Sequence, residues 1–215
     1  MISRLHYITQ EIPGYTHAQL AEAALAGGVN WVQLRLKNKP YAICKEEAQN
    51  TLALCRQYGA KLIINDNVAL AQEIGADGVH LGKQDMPTAQ ARKLLGPDFI
   101  IGGTANTFTD IQHHAAAGVN YIGLGPFRFT PTKENLSPVL GPEGYLNILK
   151  QCRKAGINIP IIAIGGLNLA DIPALLASGV HGMAVSSAIA QSQNKTAAAS
   201  QFVKALTAAF LLLEQ

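Results

Sequence analysis

The chain has 215 residues, of which 48% are hydrophobic and 14% charged. That length suits one domain with a large core, and that composition excludes a disordered chain. The formal charge is +3 with no clustered run of Lys or Arg, which excludes a nucleic-acid footprint and suits small anionic substrates.

Read for period, short apolar runs alternate with longer amphipathic stretches. Strands are expected at residues 5–9, 31–35, 61–65, 78–81, 100–104, 121–125, 161–164 and 182–185. Most of these runs lack strict alternation, as parallel strands buried on both faces do. Helices are expected at 18–26, 41–58, 68–74, 88–95, 109–117, 144–155, 169–177 and 197–213. Alternating strands and helices imply right-handed crossovers and a parallel sheet. A phrase recurs as AGGVNWVQL, IGADGVHLG, AAGVNYIGLG and ASGVHGMAV. In each, a helix ends in small residues, a Gly supplies a left-handed cap and a strand begins. Such near-copies favour a (β/α)8 TIM barrel, one domain over residues 1–215, above a doubly wound sheet.

The three cysteines, Cys44, Cys55 and Cys152, have no Cys-x-x-Cys spacing and read as structural thiols. The N-terminal MISRLHYIT lacks the apolar core of a signal peptide, and the run 208–213 is too short to span a bilayer. A cytoplasmic protein without a membrane partner is therefore expected. The oligomeric state stays open, a homo-oligomer included.

In a TIM barrel the active site lies at the C-terminal ends of the strands. Here those ends deliver Gln33-Leu34-Arg35-Leu36-Lys37, Asn65-Asp66, Gly82-Lys83-Gln84-Asp85, Thr104, Thr130-Pro131-Thr132-Lys133, Gly165-Gly166 and Ser186-Ser187. Arg35 and Lys37 are two apart and point the same way on a continuing strand. With Lys133 they can surround a pyrophosphate, Arg as a fork and Lys as point charges. Asp66 and Asp85 end neighbouring strands and suit a Mg²⁺ that keeps waters and takes phosphate oxygens. Each could equally cap the helix that follows it. Gly165-Gly166 and Ser186-Ser187 follow strands seven and eight, where barrels commonly bind a phosphate through backbone N–H groups. The long connection 126–142, rich in Pro and polar residues, is expected to be a functional loop. None of the six histidines has metal-ligand spacing, and His80, inside a strand, reads as a core residue. Gly-x-Gly-x-x-Gly, Walker A and serine-elbow motifs do not occur.

The ordered pieces QLRLK, INDN, DGVHLGKQD, IGGTANT, YIGLGPFRFTPTK, IIAIGGLN and GMAVSSAI resemble the thiamine phosphate synthase family. The resemblance implies that an aminopyrimidine methyl diphosphate loses pyrophosphate as the nitrogen of a thiazole phosphate attacks its methylene. The step is largely dissociative and needs no protein nucleophile, so catalysis comes from positioning and from stabilising charge. By the same resemblance Gln33, Arg35 and Lys37 bind the pyrimidine diphosphate with Asn65 and Thr104, and Asp66 and Asp85 hold Mg²⁺. Lys133 contacts the leaving pyrophosphate, so Arg35, Lys37 and Lys133 are the catalytic charges. Thr130 and Thr132 engage the thiazole, and Gly166, Ser186 and Ser187 hold its phosphate. Leu34, Leu36 and Pro131 fall within the binding stretches. Two positions depart from the family pattern: Leu36, where a carboxylate is common, and Asn106, where a His is common. The alternatives are a thiazole tautomerase, which would use that His as acid and base, and a non-catalytic binder of thiamine phosphates.

Overall fold

The computed structural model describes residues 1–130 and 137–213. Eight parallel strands close a barrel in chain order: β1 (Leu5–Ile8), β2 (Trp31–Leu34), β3 (Lys61–Asn65), β4 (Gly78–Leu81), β5 (Ile100–Ala105), β6 (Tyr121–Leu124), β7 (Ile161–Ile164) and β8 (Gly182–Val185). Seven of the outer helices follow their strands: α1 (His17–Ala26), α2 (Tyr41–Gln57), α3 (Val68–Ile74), α4 (Thr88–Leu95), α5 (Phe108–Ala116), α6 (Gly141–Lys154) and α7 (Ile172–Ser178), the last led by a 3-10 turn at Leu169–Asp171. A short α8 (Ser187–Ala190) precedes the terminal α9 (Lys195–Leu213). No helix among the described residues is long and apolar enough to cross a membrane.

The four repeated phrases do what their glycines require. Gly28, Gly75, Gly118 and Gly179 all take positive φ, between 67° and 98°, and each turns the chain from a helix into the next strand at no steric cost.

Each strand divides its side chains between two cores, because successive residues face opposite sides. Val32, Leu62, Val79, Ile101, Ile122 and Ala163 pack outward against the helices. Ile8, Trp31, Ile63, Tyr121, Ile162 and Ala184 fill the inside. The large interior rings fit because glycines stand opposite them: a Cβ on Gly102 would lie 2.2 Å from Tyr121 Cζ. The same alternation, carried past the strand ends, aims Gln33, Arg35 and Lys37 inward and Leu34 and Leu36 outward.

Several helix ends differ from expectation by one to three residues, and one helix was not expected. Helix α6 starts at Gly141 because Pro142 occupies its first turn, where a missing N–H costs nothing. Helix α8 is new, and at four residues it is too short for a period to reveal.

Candidate active site

A cavity of about 630 Å³ opens at the C-terminal ends of the strands. The structure brings Gln33, Arg35, Lys37, Asn65, Asp66, Asp85, Thr104, Thr130, Gly166, Ser186 and Ser187 together in its wall. Leu34 is buried in the outer core and Leu36 packs against it, so these two side chains belong to the wall between barrel and helices and not to the cavity. Pro131, Thr132 and Lys133 lie outside the described residues.

The acidic side is built from β3 and β4. Asp66 takes a left-handed φ of 66°, uncommon for a residue with a Cβ. Its N–H donates to His80 O at 2.8 Å, and its carboxylate pairs with the Lys37 ammonium. Asp85 accepts from Gly82 N–H at 2.6 Å. Burial pushes the Asp85 carboxyl up, and the neighbouring Asp66 carboxylate adds to the rise. Neither aspartate caps a helix. Asn67 caps α3 through its own side chain, and Pro87 stands at the N-cap of α4 without a side-chain cap. The capping alternative for both residues is thus removed.

Between these carboxylates and the barrel floor lie the amides. Gln33 Nε2 donates to Asn65 Oδ1 at 2.8 Å. That leaves one amide oxygen and further N–H groups to meet a ring bearing both donors and acceptors.

Opposite the acidic side, Gly165 and Gly166 have φ of 100° and 68°, and a Cβ on Gly166 would lie 2.5 Å from Arg128 Cγ. Arg128 forks onto Asp171 with two bonds of 2.7 Å and also donates to Gly166 O at 2.6 Å. The arginine thereby holds the glycine turn in one shape, with its carbonyl engaged away from a ligand. Ser186 Oγ donates to Gln10 Oε1 at 3.1 Å.

The third wall rests on β5. Asn106 is buried and donates both to Gly125 O at 3.0 Å and to Pro138 O at 2.8 Å. Its amide therefore ties the end of β5 to both flanks of the β6–α6 connection, and no acid–base group occupies that position. Asp110 accepts from the N–H groups of Asn106 and Thr107, each at 2.9 Å, and pairs with Lys83 at 2.7 Å. Burial pushes this carboxyl up, but Lys83 and the N–H groups outweigh burial and hold it down at about 2. A depressed folded-state value contributes stability above the ordinary carboxylate range near ~4, which is lost as pH falls further. The stability difference between wild type and Asp110→Asn, from denaturant melts, should be constant above about pH 4 and shrink as pH falls toward about 2. A difference that stays flat over that window would contradict this pairing.

Three further residues shape the site, and no sequence pattern assigned any of them a role there. His80 faces the cavity; the alternation within GVHLG, which puts His80 on the face of Gly82, was the available signal. Lys83 is expected at the rim, but its pairing, like that of Arg128, is not, because the partners Asp110 and Asp171 are distant in sequence.

The comparisons with known proteins agree with this geometry. A family model described as thiamine monophosphate synthase matches residues 5–189. The chain is 50% identical over 193 residues to a thiamine-phosphate synthase of Phocaeicola vulgatus, covering 90% of this chain and 93% of that one. It is 52% identical over 187 residues to a thiamine-phosphate synthase of Bacteroides fragilis, covering 87% and 92% respectively. Among solved structures, a thiamine phosphate pyrophosphorylase from Pyrococcus furiosus superimposes with a TM-score of 0.85 at 30% identity, over 96% of each chain. The match to the family model starts on the first residue of β1 and runs past the end of β8, through every strand that feeds the cavity, and so the chain belongs to the thiamine monophosphate synthase family.

Proposed function

We propose that the chain, with residues 1–215 read as one barrel domain, is a thiamine phosphate synthase. It joins 4-amino-2-methyl-5-(diphosphooxymethyl)pyrimidine to thiazole phosphate, with or without a 2-carboxylate, and releases thiamine phosphate and pyrophosphate. The observation that carries this reading is the division of one cavity, with Arg35, Lys37, Asp66 and Asp85 on one side and Gly165, Gly166, Ser186 and Ser187 on the other. A diphosphate suits the first side and a monophosphate the second.

The donor set fits Mg²⁺. No cluster of three or more His, Cys, Asp or Glu able to cage a metal occurs among the described residues. Two carboxylates without capping duties match a cation that draws its remaining ligands from waters and phosphate oxygens. Asp66 and Asp85 would hold it, and when bound it would neutralise charge on the diphosphate. Arg35 provides a planar fork for phosphate oxygens, and its guanidinium makes no hydrogen bond among the described residues. Lys37 adds a mobile point charge once it leaves Asp66. Gln33, Asn65 and Thr104 orient the pyrimidine, and Thr130 faces the thiazole. Lys133 and Thr132 take the pyrophosphate and thiazole roles that the family resemblance gives them. Nothing here has to attack the substrate, because alignment of the two substrates and charge stabilisation at the leaving group supply the rate. The tautomerase reading would need a proton-exchanging group where Asn106 spends its amide hydrogens on Gly125 and Pro138.

The two-sided site is tested by separating the substrates kinetically. Ser187→Asp puts a carboxylate against the monophosphate and should raise the KM for thiazole phosphate about tenfold or more, through like-charge repulsion. The KM for the pyrimidine diphosphate should change little. Equal rises for both would contradict the assignment of Ser187.

A further inference from the structure

Below the cavity the barrel interior holds a column of rings. His6 stacks on Trp31 with centroids 4.4 Å apart, and Tyr121 stands edge-on to Trp31 at 5.6 Å. Tyr121 in turn reaches His80 on the cavity floor. Two hydrogen bonds run through that imidazole: Nδ1 lies 3.0 Å from Tyr121 Oη, and Nε2 lies 3.0 Å from Thr104 Oγ1. A neutral imidazole donates from one nitrogen and accepts at the other, so the direction of one bond fixes the other.

The phenol decides that direction. Tyr121 is 1% exposed, and burial pushes its hydroxyl far above the ordinary range, so the proton stays on. His80 is the hydrogen-bond partner found for Tyr121 Oη among the described residues. If Nδ1 carried the proton, the buried phenol hydrogen would lose its hydrogen-bond partner among the described residues and incur the desolvation cost. Tyr121 therefore donates to Nδ1, and the proton sits on Nε2 and is donated to Thr104 Oγ1. With its oxygen accepting from below, the Thr104 hydroxyl turns its own hydrogen toward the cavity.

We infer that Tyr121 and His80 are positioning residues that hold the Thr104 hydroxyl as a hydrogen-bond donor to a ring nitrogen of the pyrimidine. The identity of that ligand rests on the proposed function; the proton arrangement does not. A ring nitrogen is the acceptor, not a phosphate oxygen, because Thr104 lies within β5 on the barrel floor, whereas Arg35, Lys37, Asp66 and Asp85 lie beyond their strand ends. The exocyclic amino group, itself a donor, is excluded from this contact.

The ring nitrogens of ¹⁵N-labelled histidine report the tautomer directly, and His80→Gln identifies the His80 signals. In the ligand-free wild type His80 should carry its proton on Nε2 alone, and Tyr121→Phe should convert it to a mixture. A proton on Nδ1 alone, or on both nitrogens, in the wild type would overturn the inference even if the variant failed to fold. In kinetics, Thr104→Val should raise the KM for the pyrimidine diphosphate roughly tenfold, the loss of one buried hydrogen bond, with the KM for thiazole phosphate unchanged and Thr104→Ser restoring the wild-type value. An unchanged KM in Thr104→Val would remove the contact to substrate. Weaker binding of inorganic pyrophosphate to Thr104→Val would overturn the ring-nitrogen assignment. An Nε2 tautomer in a protein that turns over no pyrimidine diphosphate would leave the proton arrangement standing and overturn the proposed function.

Discussion

Asp66→Asn is expected to lower kcat/KM by about a thousandfold or more, because a metal ion at a phosphoryl group contributes several kcal/mol of charge stabilisation. Asparagine is the informative replacement. Asp66 sits at a φ of 66°, a conformation that Asn tolerates and most residues with a Cβ do not. The variant should thus keep the backbone and the volume and lose only the charge. Its melting temperature should stay close to that of wild type, since the ion pair with Lys37 is partly exposed and such pairs add ~0–1 kcal/mol. Steady-state kinetics over a Mg²⁺ titration, with circular dichroism as the control, checks both halves. Turnover at the wild-type metal concentration would remove Asp66 from the metal site. A loss of turnover together with a large fall in melting temperature would assign the residue to the fold instead.

The second large effect concerns stability. Gly102→Ala should destabilise the barrel by about 3 kcal/mol or more, at the upper end of what overpacking costs. The added Cβ would meet Tyr121 Cζ at 2.2 Å and His80 Nδ1 at 2.6 Å. These are rings in the middle of the barrel, locked between Trp31, His6 and Thr104, and cannot swing aside as the end of a flexible chain would. For a chain of this length the loss corresponds to a fall in melting temperature of roughly 6–12 °C, measurable by calorimetry. A variant within 1–2 °C of wild type would show that the interior rings have room to move. Because the same rings set the proton on His80, any surviving Gly102→Ala protein should also show a raised KM for the pyrimidine diphosphate.

The barrel itself was legible in the sequence. Its strands appear as short apolar runs whose ends agree with the structure to within one residue, because a parallel strand buried on both faces has little other way to be written. The cavity was legible to the extent that alternation continues past a strand: Gln33, Arg35 and Lys37 face inward for the same reason that Trp31 does. Leu34 and Leu36 face outward by that rule, and their side chains pack in and against the outer core. The two aspartates could not be separated from helix caps by reading alone. Only the folded structure shows that the Asn67 side chain caps α3 and that Asp66 pairs with Lys37. The bonds from Arg128 to Asp171 and from Lys83 to Asp110 leave no periodic trace, since they join a strand-end loop to the start of a later helical segment at a distance set by the closed barrel. His80 is a core residue as expected, buried with both ring nitrogens hydrogen-bonded, but its place on the cavity floor was not legible. It fills the core at the layer where core becomes cavity floor, and that depth is fixed by the register of β4 against β3 and β5, not by its neighbours in sequence.

The most direct test of the central claim is one reaction mixture containing the purified protein, both substrates and Mg²⁺, followed for thiamine phosphate by mass spectrometry and for pyrophosphate by a coupled assay. Both products should appear in equal amounts, and both should be lost when the metal is chelated. Folded protein that binds the two substrates and returns them unjoined, or that isomerises the thiazole phosphate without releasing pyrophosphate, would contradict the claim.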